Sequence, residues 1–126
     1  MTITATTGYV LAGILAAAII FIGARFLVAP RVAAAGYGVL PDLDRPGAGA
    51  YLSVKGIRDI ATGLLVLILM IAGATHLVGC VMLAATIIPI ADAAIVLRNG
   101  GSRSVAWGVH GGTAAVMLVT TALLLV

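Results

Sequence analysis

Between Asp59 and Asp92 the chain runs for 32 residues without a formally charged side chain. As one helix rising about 1.5 Å per residue, that run would measure ~48 Å, too long for a single crossing of a hydrocarbon layer about 30 Å thick. It predicts two antiparallel spans, Val54 to Gly73 and Leu77 to Leu97, joined by a tight turn through Ala74, Thr75 and His76. A third apolar run extends from Gly8 to Val28. A fourth, Val105 to Val126, follows Asn99, Gly100 and Gly101, residues suited to left-handed backbone angles, with Ser104 placed to cap it. Composition agrees with lipid as the solvent: 63% of residues are hydrophobic and 9% charged, where a soluble domain carries about a quarter charged. The expected fold is all-α, a membrane-embedded antiparallel four-helix bundle. It forms a single four-span domain over residues 1–126, with spans near 8–28, 54–73, 77–97 and 105–126.

The basic residues set an expected orientation. Arg25, Arg31, Arg45, Lys55 and Arg58 flank the first connection and Arg98 and Arg103 the third, so all seven fall on one face. By the positive-inside rule that face is cytoplasmic, which puts both termini and the His76 turn outside a multi-pass protein of the cell membrane. A cleaved signal would carry basic residues ahead of its apolar core. Here Met1 to Gly8 has none, and the first span reads as a retained anchor. Seven scattered cations give no nucleic-acid footprint, so the expected partner is the bilayer itself. The long connection, roughly Ala29 to Ser53, holds Pro30, Pro41 and Pro46 and reads as a structured loop or short interfacial segment. Gly36 and Gly38 let it fold sharply, and Tyr37 and Tyr51 suit the headgroup layer.

Ionisable groups are rare in hydrocarbon and usually face a bundle interior or a wet cavity. Arg25, Arg58, Asp59, Asp92 and His110 lie on four helices, each roughly 4 to 8 Å inside its basic end at about 1.5 Å per residue, and so at one level near one membrane face. The economical arrangement has Asp92 accepting from Arg58 or Arg25 with His110 beside it, since paired charges are far less costly to bury than lone ones. Asp59 pairs instead with Lys55 one turn earlier, as an exposed i, i+4 contact. Such a cluster either lines a binding site or only ties the helices together.

Pro89, three residues before Asp92, cannot donate to the Ala85 carbonyl, so the third span should bend or open there. Gly108 and Gly112 form a GxxxG pair for close helix approach, within the chain or in a homo-oligomer, and His110 points away from that seam. Trp107 reads as an interfacial anchor. Cys80, the single cysteine, reads as a small buried apolar residue. His76 and His110 are a membrane thickness apart, and no zinc, P-loop, nucleophile-elbow or dinucleotide signature occurs. No metal and no cofactor are therefore expected.

The stretch Lys55, Gly56, Ile57, Arg58, Asp59, Ile60, with Gly63 following, resembles a motif of an uncharacterised family of small membrane proteins, domain of unknown function 4267. The likeness continues at Asp92 and at His110, Gly111, Gly112 and Thr113, covering nearly the whole chain. It implies a four-helix membrane protein and brings no established activity. A looser likeness to DoxX-type proteins concerns architecture alone. Small multidrug exporters are similar in size but use a membrane-embedded glutamate, and this chain contains no glutamate.

Three functions stay open. In the first, a small lipophilic or lipid-like molecule binds among Arg25, Arg58, Asp59, Asp92 and His110, with Asp92 and His110 as candidates for catalytic proton transfer. In the second, the cluster is structural and the protein serves assembly or interaction. In the third, Asp92 carries a proton or cation across, although no acidic residue continues the path outward.

Overall fold

The computed structural model describes residues 1–126 and is all-helical. Helix α1 covers Ile3–Val28, α2 Pro30–Tyr37, α3 Ala48–Ile71, α4 Thr75–Arg98 and α5 Ser104–Leu125. α1, α4 and α5 are long and apolar enough to cross a bilayer. α3 is as long, but Lys55, Arg58 and Asp59 crowd its first half. Large apolar side chains, among them Ile14, Phe21, Leu65, Ile68 and Ile87, point outward.

The helix ends follow local chemistry. α1 starts earlier than hydropathy alone suggests because the Thr2 hydroxyl accepts from the Ala5 amide at 3.1 Å, satisfying one orphan donor of the first turn. It stops at Ala29, which precedes Pro30 and is pushed out of the helical region. Pro30 then opens α2, where its missing N–H costs nothing. Gly38, at φ 109°, ends α2 in a left-handed turn that a side chain would strain. The long connection thus holds α2 and the first turns of α3. At the start of α5 the capping hydroxyl belongs to Ser102, which accepts from Val105 N–H at 3.1 Å, and not to Ser104, which lies already inside the helix.

α4 loses regularity at Thr86, beside the Ala85 carbonyl that Pro89 cannot serve. The Thr86 hydroxyl donates to the Met82 carbonyl at 2.8 Å, so the interruption is itself hydrogen-bonded. The first turns of α5, Ser104–Gly111, are π-helical, a geometry that occurs mostly as short insertions and often beside functional sites.

α1 and α3 run antiparallel in one register. The Tyr9 hydroxyl donates to the Met70 carbonyl. Seven residues on, Ala16 meets Gly63, where a Cβ would stand 2.7 Å from the Ala16 oxygen. Seven further, a Cβ on Gly23 would stand 2.5 Å from the Gly56 oxygen, and one on Gly56 2.6 Å from the Gly23 oxygen. At the Tyr9 end, Ala12, Ala16, Val66, Val78, Met82 and Leu124 form the apolar core. At the other end Phe26, Ala33 and Ala34 make one cluster and Ala93, Val96 and Ala106 another, and Tyr37 packs against both.

Gly108 and Gly112 have open space where a Cβ would stand. They therefore do not serve close packing within the chain, which falls instead to glycines of α1 and α3 and to Gly79 of α4, where a Cβ would stand 2.6 Å from the Leu125 side chain. Cys80 is exposed rather than buried, beside His76 on the outer side of α4, with Sγ 3.6 Å from Nδ1.

The glycine contacts give the first prediction. Gly56→Ala must separate two backbones, so it should cost about 1 to 3 kcal/mol as an overpacking substitution. Gly49→Ala, in the same helix with nothing within 4 Å, should be neutral or gain up to ~1 kcal/mol from helix propensity. Thermal unfolding in mild detergent measures both, and equal midpoints would contradict the close α1–α3 contact.

Candidate functional site

All five helices contribute to one cavity of ≈ 320 Å³. One end is apolar, walled by Leu15, Ala16, Val66, Met82 and Met117. The other is polar, where Arg25, Tyr37, Lys55, Asp92 and His110 reach the lining. It is not sealed: Ile22, Ile88, Val109 and Thr113, also in its wall, are exposed on the outside of the protein.

Helix periodicity explains why these side chains turn inward. Asp92 stands three residues after Pro89 and four before Val96, both buried, and so shares their face of α4. His110 lies four residues from both Ala106 and Ala114, again buried, and is itself only 8% exposed. Tyr37 comes from a third direction, at the end of α2, where the Gly38 turn sends the chain away and leaves the ring aimed between α4 and α5.

Three residues interlock at the polar end. The Tyr37 hydroxyl donates to Asp92 Oδ1 at 2.9 Å. His110 Nε2 lies 2.7 Å from the Tyr37 carbonyl oxygen. Because a carbonyl only accepts, Nε2 carries the proton and donates, which leaves Nδ1 as the nitrogen free to take one up. Nδ1 faces Asp92 Oδ2 at 3.9 Å, beyond the ~2.7–3.2 Å of a direct hydrogen bond. The Tyr37 and His110 rings meet edge to face with centroids 4.8 Å apart. Burial first, then the negative charge of Asp92 and the hydrogen bond to it, push the Tyr37 phenol well above the ordinary tyrosine range, so it stays a donor.

Lys55 closes the same end. Its Nζ sits 2.8 Å from Asp59 Oδ2 and within 4.8 Å and 5.2 Å of the Phe26 and Tyr37 ring centres, a cation held on two aromatic faces. Phe26, Tyr37 and Lys55 also line a more open groove of ≈ 530 Å³ under the segment from Val39 to Gly47. They form the partition between cavity and groove.

The five residues singled out from sequence separate here. Asp92 and His110 come together and line the cavity, and Arg25 joins the lining without an ion pair. Asp59 is buried, at 8% exposure, but faces α1 near Gly23 and the Lys55 ammonium. That pair is an inward contact, not the exposed one its spacing suggests. Arg58 is exposed because one helix position from inward-facing Asp59 turns it about 100° away. Asp92 takes its hydrogen bond from Tyr37 and neither arginine. Tyr37 was legible only as an interfacial aromatic. The flanking Gly36 and Gly38, which free its backbone to turn, were the available signal.

Chemically, the polar end offers acceptors at Asp92 Oδ2 and His110 Nδ1, a guanidinium at Arg25, and a route for a proton between imidazole and carboxylate. No group of three or more histidine, cysteine or acidic side chains is gathered for a metal.

A family model described as Domain of unknown function (DUF4267) matches residues 16–124, which takes in the whole polar end of the cavity. The chain belongs to that family. Neither a curated protein nor a solved structure matches it.

The Tyr37 contacts generate the second prediction. Tyr37→Phe removes the donor to Asp92 but keeps the carbonyl that holds His110, and should cost about 1 to 3 kcal/mol. Tyr51→Phe, at a residue 80% exposed, should change stability by less than ~0.5 kcal/mol. A raised phenol pKa stabilises the fold below the ordinary tyrosine value of about 10, and that contribution fades as pH rises beyond it. In an absorbance titration, Tyr37→Phe should therefore keep the full phenolate signal that wild type shows near pH ~10. A loss of signal there would mean that Tyr37 ionises in that range.

Proposed function

We propose that this family member is a four-span protein of the cell membrane, forming one domain with its basic connections in the cytoplasm and both termini outside. Within its bundle it holds a small lipophilic or lipid-like molecule. One observation carries the binding reading: a cavity of ≈ 320 Å³ has a polar end, an apolar end and exposed apolar residues at its rim. Ligand pockets run from about 300 to 1,000 Å³ and are mostly apolar with a few convergent polar groups. The rim gives access sideways from the lipid.

The four-span reading rests on three helices of sufficient length and apolarity and on α3 packed antiparallel to α1 over its length. The charges of α3 face different surroundings: Lys55 and Asp59 turn inward to each other, while Arg58 sits near the basic end where a long side chain reaches headgroups. Asp92 and His110 are the groups placed to move a proton on a bound molecule. Arg25 holds its head, and Tyr37 positions Asp92 and His110 beside it. Arg58 and Asp59 support the bundle and do not touch the ligand.

A structural role for the cluster has its own support, since Tyr37, Asp92 and His110 lace α2, α4 and α5 together. Binding and assembly separate in native mass spectrometry from mild detergent, comparing wild type with Asp92→Asn, which still accepts from Tyr37. Binding predicts a specific small molecule on wild type that is lost from the folded variant. Wild type carrying only bulk lipid, with a variant that falls apart, would make the cluster structural.

Orientation is tested with single cysteines in a Cys80→Ser background. An impermeant maleimide added to intact cells should label Thr2→Cys and spare Gly49→Cys until the membrane is opened. The reverse pattern would invert the topology.

A further inference from the structure

The polar end sets a chemical condition on its occupant. His110 uses its Nε2 proton on the Tyr37 carbonyl at 2.7 Å, so in the neutral ring Nδ1 is a lone pair, and it faces Asp92 Oδ2 across 3.9 Å. These are two acceptors with no donor of the chain between them. The Tyr37 hydroxyl is engaged with Oδ1 and the Lys55 ammonium with Asp59. Arg25 lines the same cavity and takes part in no ion pair; its guanidinium carbon lies 5.9 Å from the ring centre of exposed Phe21, a weak contact that an occupant's head would draw it from.

A hydroxyl group answers both halves of this arrangement. It donates its one proton to Asp92 or Nδ1, and its oxygen accepts from the Arg25 guanidinium. A carboxylate head satisfies Arg25 but has no proton to give and brings a negative charge to Asp92. An ammonium head donates well but meets Arg25. Like charges brought together in a desolvated site are a means of rejecting the wrong partner, and here a full charge of either sign finds one.

The apolar end fixes the rest of the molecule. From Leu15 to Arg25, α1 rises roughly 15 Å at 1.5 Å per residue, about half the thickness of a ~30 Å hydrocarbon core. A cavity of that reach and ≈ 320 Å³ holds one chain, not the two of a phospholipid. Resting on the binding reading above, we propose that the cavity selects an uncharged, single-chain, hydroxyl-headed amphiphile of the long-chain alcohol class, its head where Asp92, His110 and Arg25 meet the lining.

The test uses the full chain in nanodiscs of phosphatidylcholine at neutral pH. The thermal midpoint is followed as 1-dodecanol, dodecanoate or dodecylamine is added at equal mole fraction. Wild type should respond to dodecanol at about tenfold lower mole fraction than to either ion, the size of one unfavourable charge contact of ~1.4 kcal/mol. Asp92→Asn should close the gap between dodecanol and dodecanoate by weakening the response to dodecanol, which loses its carboxylate acceptor, and Arg25→Gln, a change at a residue outside every ion pair, should close the gap between dodecanol and dodecylamine. Preference for dodecanoate in wild type, unmoved by Asp92→Asn, would overturn the ligand class by showing Asp92 engaged with an imidazolium, while leaving binding intact. Identical responses in all three proteins would be a bilayer effect and would overturn the selectivity. No response to any amphiphile in any protein would remove the binding reading itself.

Discussion

The backbone contact between α1 and α3 underlies the rest of the molecule. Gly23 and Gly56 bring two carbonyl oxygens to where side chains would otherwise stand, and Gly63 does the same against Ala16. Contacts spaced by seven residues on both helices fix a single antiparallel register, because any slip would drive a side chain into an opposing backbone. That register places Arg25 beside the level of Lys55 and brings Asp59 against Gly23. On the membrane reading proposed above, where no water favours burial of apolar groups, contact of this kind is the main source of helix association. It also explains where the cavity lies: the tightly pressed pair forms one wall, and the less regular α4 and α5 complete the enclosure.

Those irregularities concentrate beside the polar groups. The interruption at Thr86 and the π-helical turns of Ser104–Gly111 are the places where α4 and α5 depart from ordinary α geometry. Asp92 and His110 lie within or just beyond them. Tyr37 then uses both its side chain and its backbone, donating to the carboxylate through one and accepting from the imidazole through the other. A short helix outside the main bundle thereby determines which imidazole nitrogen carries the proton.

Much of the fold was legible in the sequence because the length of an apolar run and the placement of its flanking charges constrain a helix together. The division of the uncharged run and the break before Pro89 follow from distances a helix must span and groups it must satisfy. The turn itself falls at Ala72–Ala74 and not at Ala74–His76, because Gly73 at φ 69° makes the reversal and Thr75 and His76 already belong to α4. Helix starts were less legible. Thr2 and Ser102 act through single hydrogen bonds that hydropathy does not register. Within the site, Asp92 and His110 could be matched because both sit near the basic ends of their helices. The depth argument has no angular information, so Arg58 and Asp59, adjacent in sequence, could not be told apart by it. Tyr37 was beyond reach for a different reason: its place depends on α2 folding back across the bundle, a long-range event set by Pro30 and Gly38 jointly.

Cys80 is the single cysteine of the chain and is exposed. It sits in the first half of α4, on the far side of Thr86 from Asp92. The molecule therefore comes with a unique attachment point for a spin label or fluorophore, placed without altering any residue of the cavity. A probe there belongs to one segment of the interrupted helix while the polar end belongs to the other, which makes the native thiol a spectroscopic reference mark for relative displacement of the two segments.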